Sequence, residues 1–226
     1  MLTKHLVIER LNAASQEGRR RSNAGIVREG PAAPGTPPPE INPWHPEDVP
    51  LRPAAVLVPL VNHGDGLTVV LTRRTDHLST HAGQISFPGG RMDDDDDGPV
   101  HTALRETEEE IGIAPHRIEV VGHLDQYIVG SGFLVSPVVG FIEPPVEVAP
   151  HDHEVAEVFE VPLDFLIDPA NVARHHREFE GRIRHFYAIT YLDYYIWGAT
   201  AGMLRDLAGR LTDGLIGNLK DDVAER

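Results

Sequence analysis

Apolar residues recur along this chain with two periods, and the two periods predict different elements. Leu2, Leu6, Val7 and Leu11 are separated by charged and polar residues at helical spacing, so the N-terminus is expected to form an amphipathic helix. Ala55–Val61 and Leu67–Arg73 are continuous apolar, β-favouring runs. The five residues between them, Asn62-His63-Gly64-Asp65-Gly66, form a hairpin signal. Ile118–Leu124, Val135–Ile142, Val155–Val161 and Phe186–Tyr191 are further strand candidates, and Pro162–Leu166 reads as a turn or a short helix. A helix-forming stretch runs from about Val100 and is stopped by Gly112 and Pro115. Tyr194–Arg210 reads as a closing helix, with Ile196 and Trp197 packed in the core. Strands in runs with few helices between them predict a layered α+β domain and not a doubly wound sheet.

Eight prolines between Gly30 and Pro50 interrupt both periods. Proline removes backbone donors and fixes φ, so this segment is expected to be extended. The chain therefore divides into an N-terminal helix with a proline-rich extension over residues 1–50, and one folded domain over residues 51–226. The folded core is expected to begin near Ala54. The extension precedes every motif described below and is expected to be dispensable for chemistry.

Composition narrows the function classes. The chain has no cysteine, which excludes disulfides, thiolate nucleophiles and cysteine metal sites. No run approaches the ~20 apolar residues that span a bilayer, and charge interrupts the N-terminal apolar residues, unlike the core of a signal peptide. These features predict a soluble, cytoplasmic protein with no membrane partner. The formal charge of −15 repels nucleic-acid phosphates. The same excess of carboxylates serves solubility in general, or the binding of divalent cations in particular.

The sequence Arg105-Glu106-Thr107-Glu108-Glu109-Glu110-Ile111-Gly112-Ile113 concentrates that charge on a helix. With each residue advancing roughly 100°, Glu109 and Glu110 lie about 60° and 40° to either side of Glu106, while Glu108 points away. Carboxylates so placed repel one another, and a hard divalent cation such as magnesium, manganese or calcium relieves the repulsion. Arg105 adds a planar positive fork able to hold a glutamate in place. A solvated acidic helix face is the other reading of the same residues.

The stretch resembles the Nudix box: Gly90 opens it, and Arg105, Glu106, Glu109, Glu110, Gly112 and Ile113 complete it. It departs from the pattern in three places. The interval from Gly90 to Arg105 is one residue longer, an extra residue the Asp93–Gly98 loop can absorb. Asp97 stands for the first Glu, and Thr107 for an aliphatic residue. The resemblance implies an α/β/α sandwich with a mixed sheet, in which Glu106 and Glu110 are the principal metal ligands. Glu109 would be a further ligand or be positioned through Arg105, and a carbonyl near Gly89–Gly90 would complete the shell. The implied cofactor is Mg2+ or Mn2+.

Upstream, Leu71-Thr72-Arg73-Arg74-Thr75 and His81-Ala82-Gly83-Gln84-Ile85-Ser86-Phe87-Pro88-Gly89-Gly90 resemble the signature of the coenzyme A pyrophosphatase branch of that family. Ser79 stands where that branch often carries an Arg. The resemblance implies cleavage of coenzyme A to 4′-phosphopantetheine and adenosine 3′,5′-bisphosphate. Other nucleoside diphosphate compounds such as ADP-ribose, or ligand binding without catalysis, are the alternatives. Arg73 and Arg74 alternate in direction on a strand, so one can meet a phosphate while the other faces solvent. His81 and Gln84 are further candidates for substrate binding, and Phe87-Pro88 for loop packing. Glu154, preceding a strand, is the candidate base, with Glu147, Asp152 and Glu157 as rivals. A homodimer is compatible with the sequence.

Overall fold

The computed structural model describes residues 2–23, 50–76, 82–179 and 182–212. The segment 24–49, with seven of the eight prolines, and the residues 77–81, with Ser79 and His81, lie outside that description. Two long apolar runs become neighbouring strands: β1 (Arg52–Asn62) and β2 (Leu67–Arg74) form the expected hairpin, with Leu60 opposite Val69. Further strands are β3 (Ile85–Ser86), β4 (Gly89–Arg91), β5 (Ile118–His123), β6 (Tyr127–Val129), β7 (Phe133–Ile142) and β8 (Val155–Pro162). Together with β1 and β2 they make one eight-stranded sheet with the central order β3-β2-β1-β7-β5. β4 pairs with β1, β6 with β7 and β8 with β2.

The sheet is mixed because β1 and β7 run parallel over ten register pairs, from Arg52 with Phe133 to Val61 with Ile142. Both strands lie inside the sheet and are covered on both faces, which accounts for their unbroken apolar sequences. On one face lies α2 (Pro99–Ile111), packed over Ala55, Leu57, Val61, Val70, Val138 and Val155 through Ala103 and Ile111. On the other lie α1 (Lys4–Asn23), α3 (Leu163–Ile167) and α4 (Ala199–Leu211), packed over Val58, Leu60, Val69, Leu71, Val139 and Phe141. The architecture is the expected α+β fold, an α/β/α sandwich with a mixed sheet.

The N-terminal helix is part of this core. Val7 is wholly buried and Leu11 is 1% exposed, both within the apolar cluster that α4 completes. Burying two such side chains stabilises the fold by roughly 3–6 kcal/mol, so α1 acts as a layer of the sandwich.

A second sheet of three antiparallel strands, β9 (Val172–Phe179), β10 (Arg182–Tyr191) and β11 (Tyr194–Trp197), corrects two expectations. The closing helix begins at Ala199 and not at Tyr194. Tyr194–Trp197 pairs with β10 instead, Ile196 opposite Ile189, because an aromatic and β-branched run fits a pleated surface better than a helix. A two-residue turn with Leu192 at φ 51° makes that pairing possible. Ile196 is fully buried as expected, but Trp197 is 37% exposed. β9 escapes the apolar pattern because residues Ala173 to Glu178 are exposed on both faces, leaving no alternation to read.

A carboxylate cluster on the box helix

Helix α2 is placed by its ends. Pro99 occupies its first turn, where a missing N–H costs nothing. Gly112 closes it at φ 76°, ψ 13°, donating its N–H to Glu108 O at 2.9 Å. That left-handed cap suits glycine, and a Cβ there would also lie 2.9 Å from Ala149. Thr107 fills its apolar position by bonding within the helix: its hydroxyl is fully buried and donates to Ala103 O at 2.6 Å.

The three candidate metal-ligating glutamates, expected on one face, differ in burial, and Glu109 is as exposed as Glu108. Glu110 is 5% exposed, Glu106 is half-buried, and Glu109 and Glu108 are exposed. Arg105 uses all five of its N–H groups. Nη1 donates to Glu106 Oε1 at 3.0 Å and to Glu109 Oε2 at 3.2 Å. Nε reaches Asp96 Oδ1 at 3.0 Å, and Nη2 donates to Asp96 Oδ2 at 2.9 Å and to Arg91 O at 3.2 Å.

Asp96 is thus the acidic partner that sequence reasoning missed, for it had singled out Asp97. The signal was present in the acidic run Asp93–Asp97, but spacing does not say which of five aspartates turns inward. The turn from Asp93 to Asp96 decides it: the Asp93 N–H and the Thr102 hydroxyl both donate to Asp96 Oδ2 at 2.9 Å. With its side chain only 2% exposed, Asp96 is held well below the ordinary carboxylate range, first by Arg105 and then by its backbone and Thr102 donors.

The paired strands β1 and β4 bring Gly89-Gly90 under the helix, with Gly90 opposite Ala55. The Gly89 N–H donates to Glu110 Oε2 at 3.2 Å. A Cβ on Gly90 would stand 2.5 Å from the Glu106 carboxylate, so only glycine leaves that carboxylate its place.

Burial pushes the Glu110 carboxyl up to about 7; the Gly89 N–H and Arg74 oppose the shift, while Glu106 and Glu154 add to it. Burial is also the main cause that raises Glu106, with Arg105 opposing and Glu109 and Glu154 adding. Glu154, in the turn before β8, thus lies close enough for its charge to act on both Glu106 and Glu110. An under-compensated set of hard oxygen donors matches a divalent cation. Among the described residues no three acidic or histidine side chains are drawn together tightly enough to enclose an ion. An ion held here would keep waters or substrate oxygens in its shell, as magnesium characteristically does.

The two arginines of β2 diverge as alternation requires. Arg74 points to the α2 side, with Nη1 3.8 Å from Glu110 Oε1 and a buried Nε that has no hydrogen-bond partner. Arg73 is paired with Glu157 at 3.1 Å, and Glu157 also accepts from Tyr194 Oη at 2.7 Å. That network lies on the α4 side, which takes Arg73 and the rival base Glu157 away from the carboxylates. Glu147 lies beyond the C-terminal end of α2, lining a cleft with Gly112 and Arg117. Gln84 joins the site's wall through its backbone, its carbonyl accepting the Arg74 N–H at 2.9 Å. Phe87 is 2% exposed and packs the loop. The candidate His81 falls outside the described residues.

Comparison with known proteins gives the chain its family. The NUDIX domain pattern matches residues 50–182, more than half of the chain. An uncharacterized Nudix hydrolase NudL of Pectobacterium atrosepticum is 39% identical over 78% of this chain and 89% of its own length. One of Yersinia pestis is 40% identical over 71% of this chain and 80% of its own. A MutT/nudix family protein of Enterococcus faecalis superposes with a TM-score of 0.46 at 16% identity, covering 94% of this chain and 76% of that one. The domain pattern spans the box residues, the relatives share about two residues in five, and the chain belongs to the Nudix family of hydrolases, which cleave diphosphate linkages.

Proposed function

We propose that this Nudix hydrolase cleaves the diphosphate of coenzyme A and its thioesters, with Mg2+ or Mn2+, to 4′-phosphopantetheine and adenosine 3′,5′-bisphosphate. One observation carries the substrate reading. The two halves of the branch signature, Leu71–Thr75 and Gln84–Gly90, fold into a single wall against the carboxylate cluster. Thr72 pairs with Ser86 and Arg73 with Ile85, and the chain then turns so that Gly89 touches Glu110. Arg74 of the first half thereby comes within 3.8 Å of Glu110 on the box helix, which supports the reading.

Glu106, Glu110 and, through Arg105, Glu109 would hold the ion, with the Gly90 carbonyl as a further donor. The bound ion supplies charge neutralisation on the diphosphate and lowers the pKa of a bound water. Arg74 presents a guanidinium with an unused, desolvated Nε toward the same point, where it meets a phosphate oxygen; such charge-assisted bonds are about twice as strong as neutral ones. Glu154 takes the proton of the attacking water. Gln84 lines the approach for substrate.

The test is kcat/KM for coenzyme A, its 3′-dephosphorylated form, ADP-ribose and a nucleoside triphosphate, with products resolved by chromatography. Coenzyme A is expected to give the highest value. A higher value for ADP-ribose overturns the substrate reading and leaves the diphosphatase standing.

A further inference from the structure

The turn that carries Glu154 is fastened from two sides, and one fastening comes from a side chain the chemistry above leaves unused. Helix α2 leaves its last carbonyls without partners inside the helix. The loop after β7 supplies them: the Ala149 N–H donates to Ile111 O and the His151 N–H to Glu110 O, both at 2.9 Å. His151 then closes the turn, its carbonyl accepting the Glu154 N–H at 2.9 Å and the Val155 N–H at 3.0 Å. One residue, His151, thus links the backbone of Glu154 to that of Glu110.

Thr75 holds the same turn from the other side. It follows β2 directly and is 7% exposed. Its N–H donates to Glu154 O and its hydroxyl to His153 O, each at 3.0 Å. The register of β2 on β8 makes this contact possible. Arg73 lies opposite Glu157, yet Arg74 lies opposite Val155, so Ala156 is an extra residue. An unbroken ladder would set Thr75 against Val155. The bulge sets it against Glu154 instead, and bulges beside active sites re-aim side chains in this way. The same shift turns Val155 to the α2 face, where it is 3% exposed in the apolar cluster under the helix. The Arg74 N–H is taken by Gln84 O at 2.9 Å, so the end of β2 is tied on both edges.

We infer that Thr75 is a positioning residue for diphosphate cleavage: its hydroxyl fixes the turn that carries the Glu154 carboxylate beside the box helix. The inference rests on Glu154 acting as the base. A base must stand within hydrogen-bond reach of the proton it takes, so a small displacement lowers turnover more than substrate binding. The hydroxyl is the group to test, because the bond from the Thr75 N–H is open to any side chain except proline. Valine keeps the shape of threonine without the donor, and serine keeps the donor without the methyl.

The experiment measures kcat and KM of the full chain with magnesium, on the best cleaved of the four substrates above and per folded molecule. Wild type is compared with Thr75→Val, Thr75→Ser, Glu154→Gln and the Thr75→Val/Glu154→Gln double variant. Thr75→Val is expected to lose about tenfold or more in kcat with KM within about twofold of wild type. Thr75→Ser is expected to recover most of that loss. In Glu154→Gln, itself slower by at least ~100-fold, Thr75→Val should cause no further loss, because the group it positions is gone. Equal losses from Thr75→Val in both backgrounds, or a Thr75→Ser as slow as Thr75→Val, overturn the positioning role and leave Glu154 as the base. Full turnover in Glu154→Gln overturns the base and the positioning role together. Thr75→Ala, which also removes the donor, takes the place of Thr75→Val if the latter does not fold.

Discussion

Glu110 shows how one residue divides its effects between stability and chemistry. Its carboxyl is raised to about 7 because burial outweighs the Gly89 N–H and Arg74. Glu110→Gln keeps the shape and removes the buried charge. The variant is expected to lose at least ~100-fold in kcat and most of its magnesium or manganese affinity by calorimetry, while its metal-free Tm at pH 8 equals or exceeds that of wild type. Unchanged metal affinity would remove Glu110 from the ligand set. Gly90→Ala tests the same site from below, since the added methyl would stand 2.5 Å from the Glu106 carboxylate. An activity loss of at least tenfold with Tm within a few degrees of wild type is expected, because a side chain and not backbone must give way. At this scale the sequence was informative wherever one residue suffices: the helical angles separated buried Glu110 from exposed Glu108 before any coordinates. It failed at Asp96, whose selection over Asp97 depends on a turn that spacing does not encode.

At the scale of elements, Arg105 and Asp96 tie helix α2 to the loop before it, and the tie depends on pH. Asp96 has a folded-state pKa below its unfolded value of about 3.9. Its contribution is therefore fully present above that unfolded value and is lost as pH falls below about 4 toward the folded value. Thermal unfolding of Asp96→Asn should show a Tm about 5–15 °C lower than wild type at pH 7, with the gap closing at acid pH. A gap independent of pH would assign the loss to geometry instead of charge. Helix α1 gives a second measurement. Leu11→Ala should cost about 2–5 kcal/mol in urea unfolding, as expected for a leucine 1% exposed in a packed cluster. Diphosphatase activity per folded molecule should hold, because α1 packs on the face away from the carboxylates.

For the whole molecule, the mixed sheet keeps the carboxylates of α2 on one face, apart from the apolar layer under α1, α3 and α4. Divalent cation that binds only the folded state raises Tm with concentration, by roughly 2.7 kcal/mol at a hundred times Kd. Magnesium titrated into wild type should therefore raise Tm, and the same titration of a Glu106→Gln/Glu110→Gln double variant should not. A rise of equal size in both would place the stabilising ion elsewhere among the acidic surface groups. Among the described residues no helix is long and apolar enough to cross a membrane.

What the sequence determined by itself is local and periodic. The doubly covered strands β1, β2 and β7, the amphipathic α1 and the stops around α2 follow from side-chain pattern and backbone preference, which act over a few residues. The box glutamates and their shared face follow from helix geometry alone. The tertiary structure decided what depends on separation in the chain. It brought Glu154, in the turn before β8, within electrostatic reach of Glu106 and Glu110, set Arg74 beside Glu110 and Arg73 beside Glu157, and made a strand of Tyr194–Trp197 because β10 was there to pair with it. Residues 173–178 carry no hydrophobic period, since both their faces meet solvent, and pairing with β10 gave them their structure. Burial and charge at a site are sums over all neighbours in space, and a linear pattern reports only the neighbours in sequence.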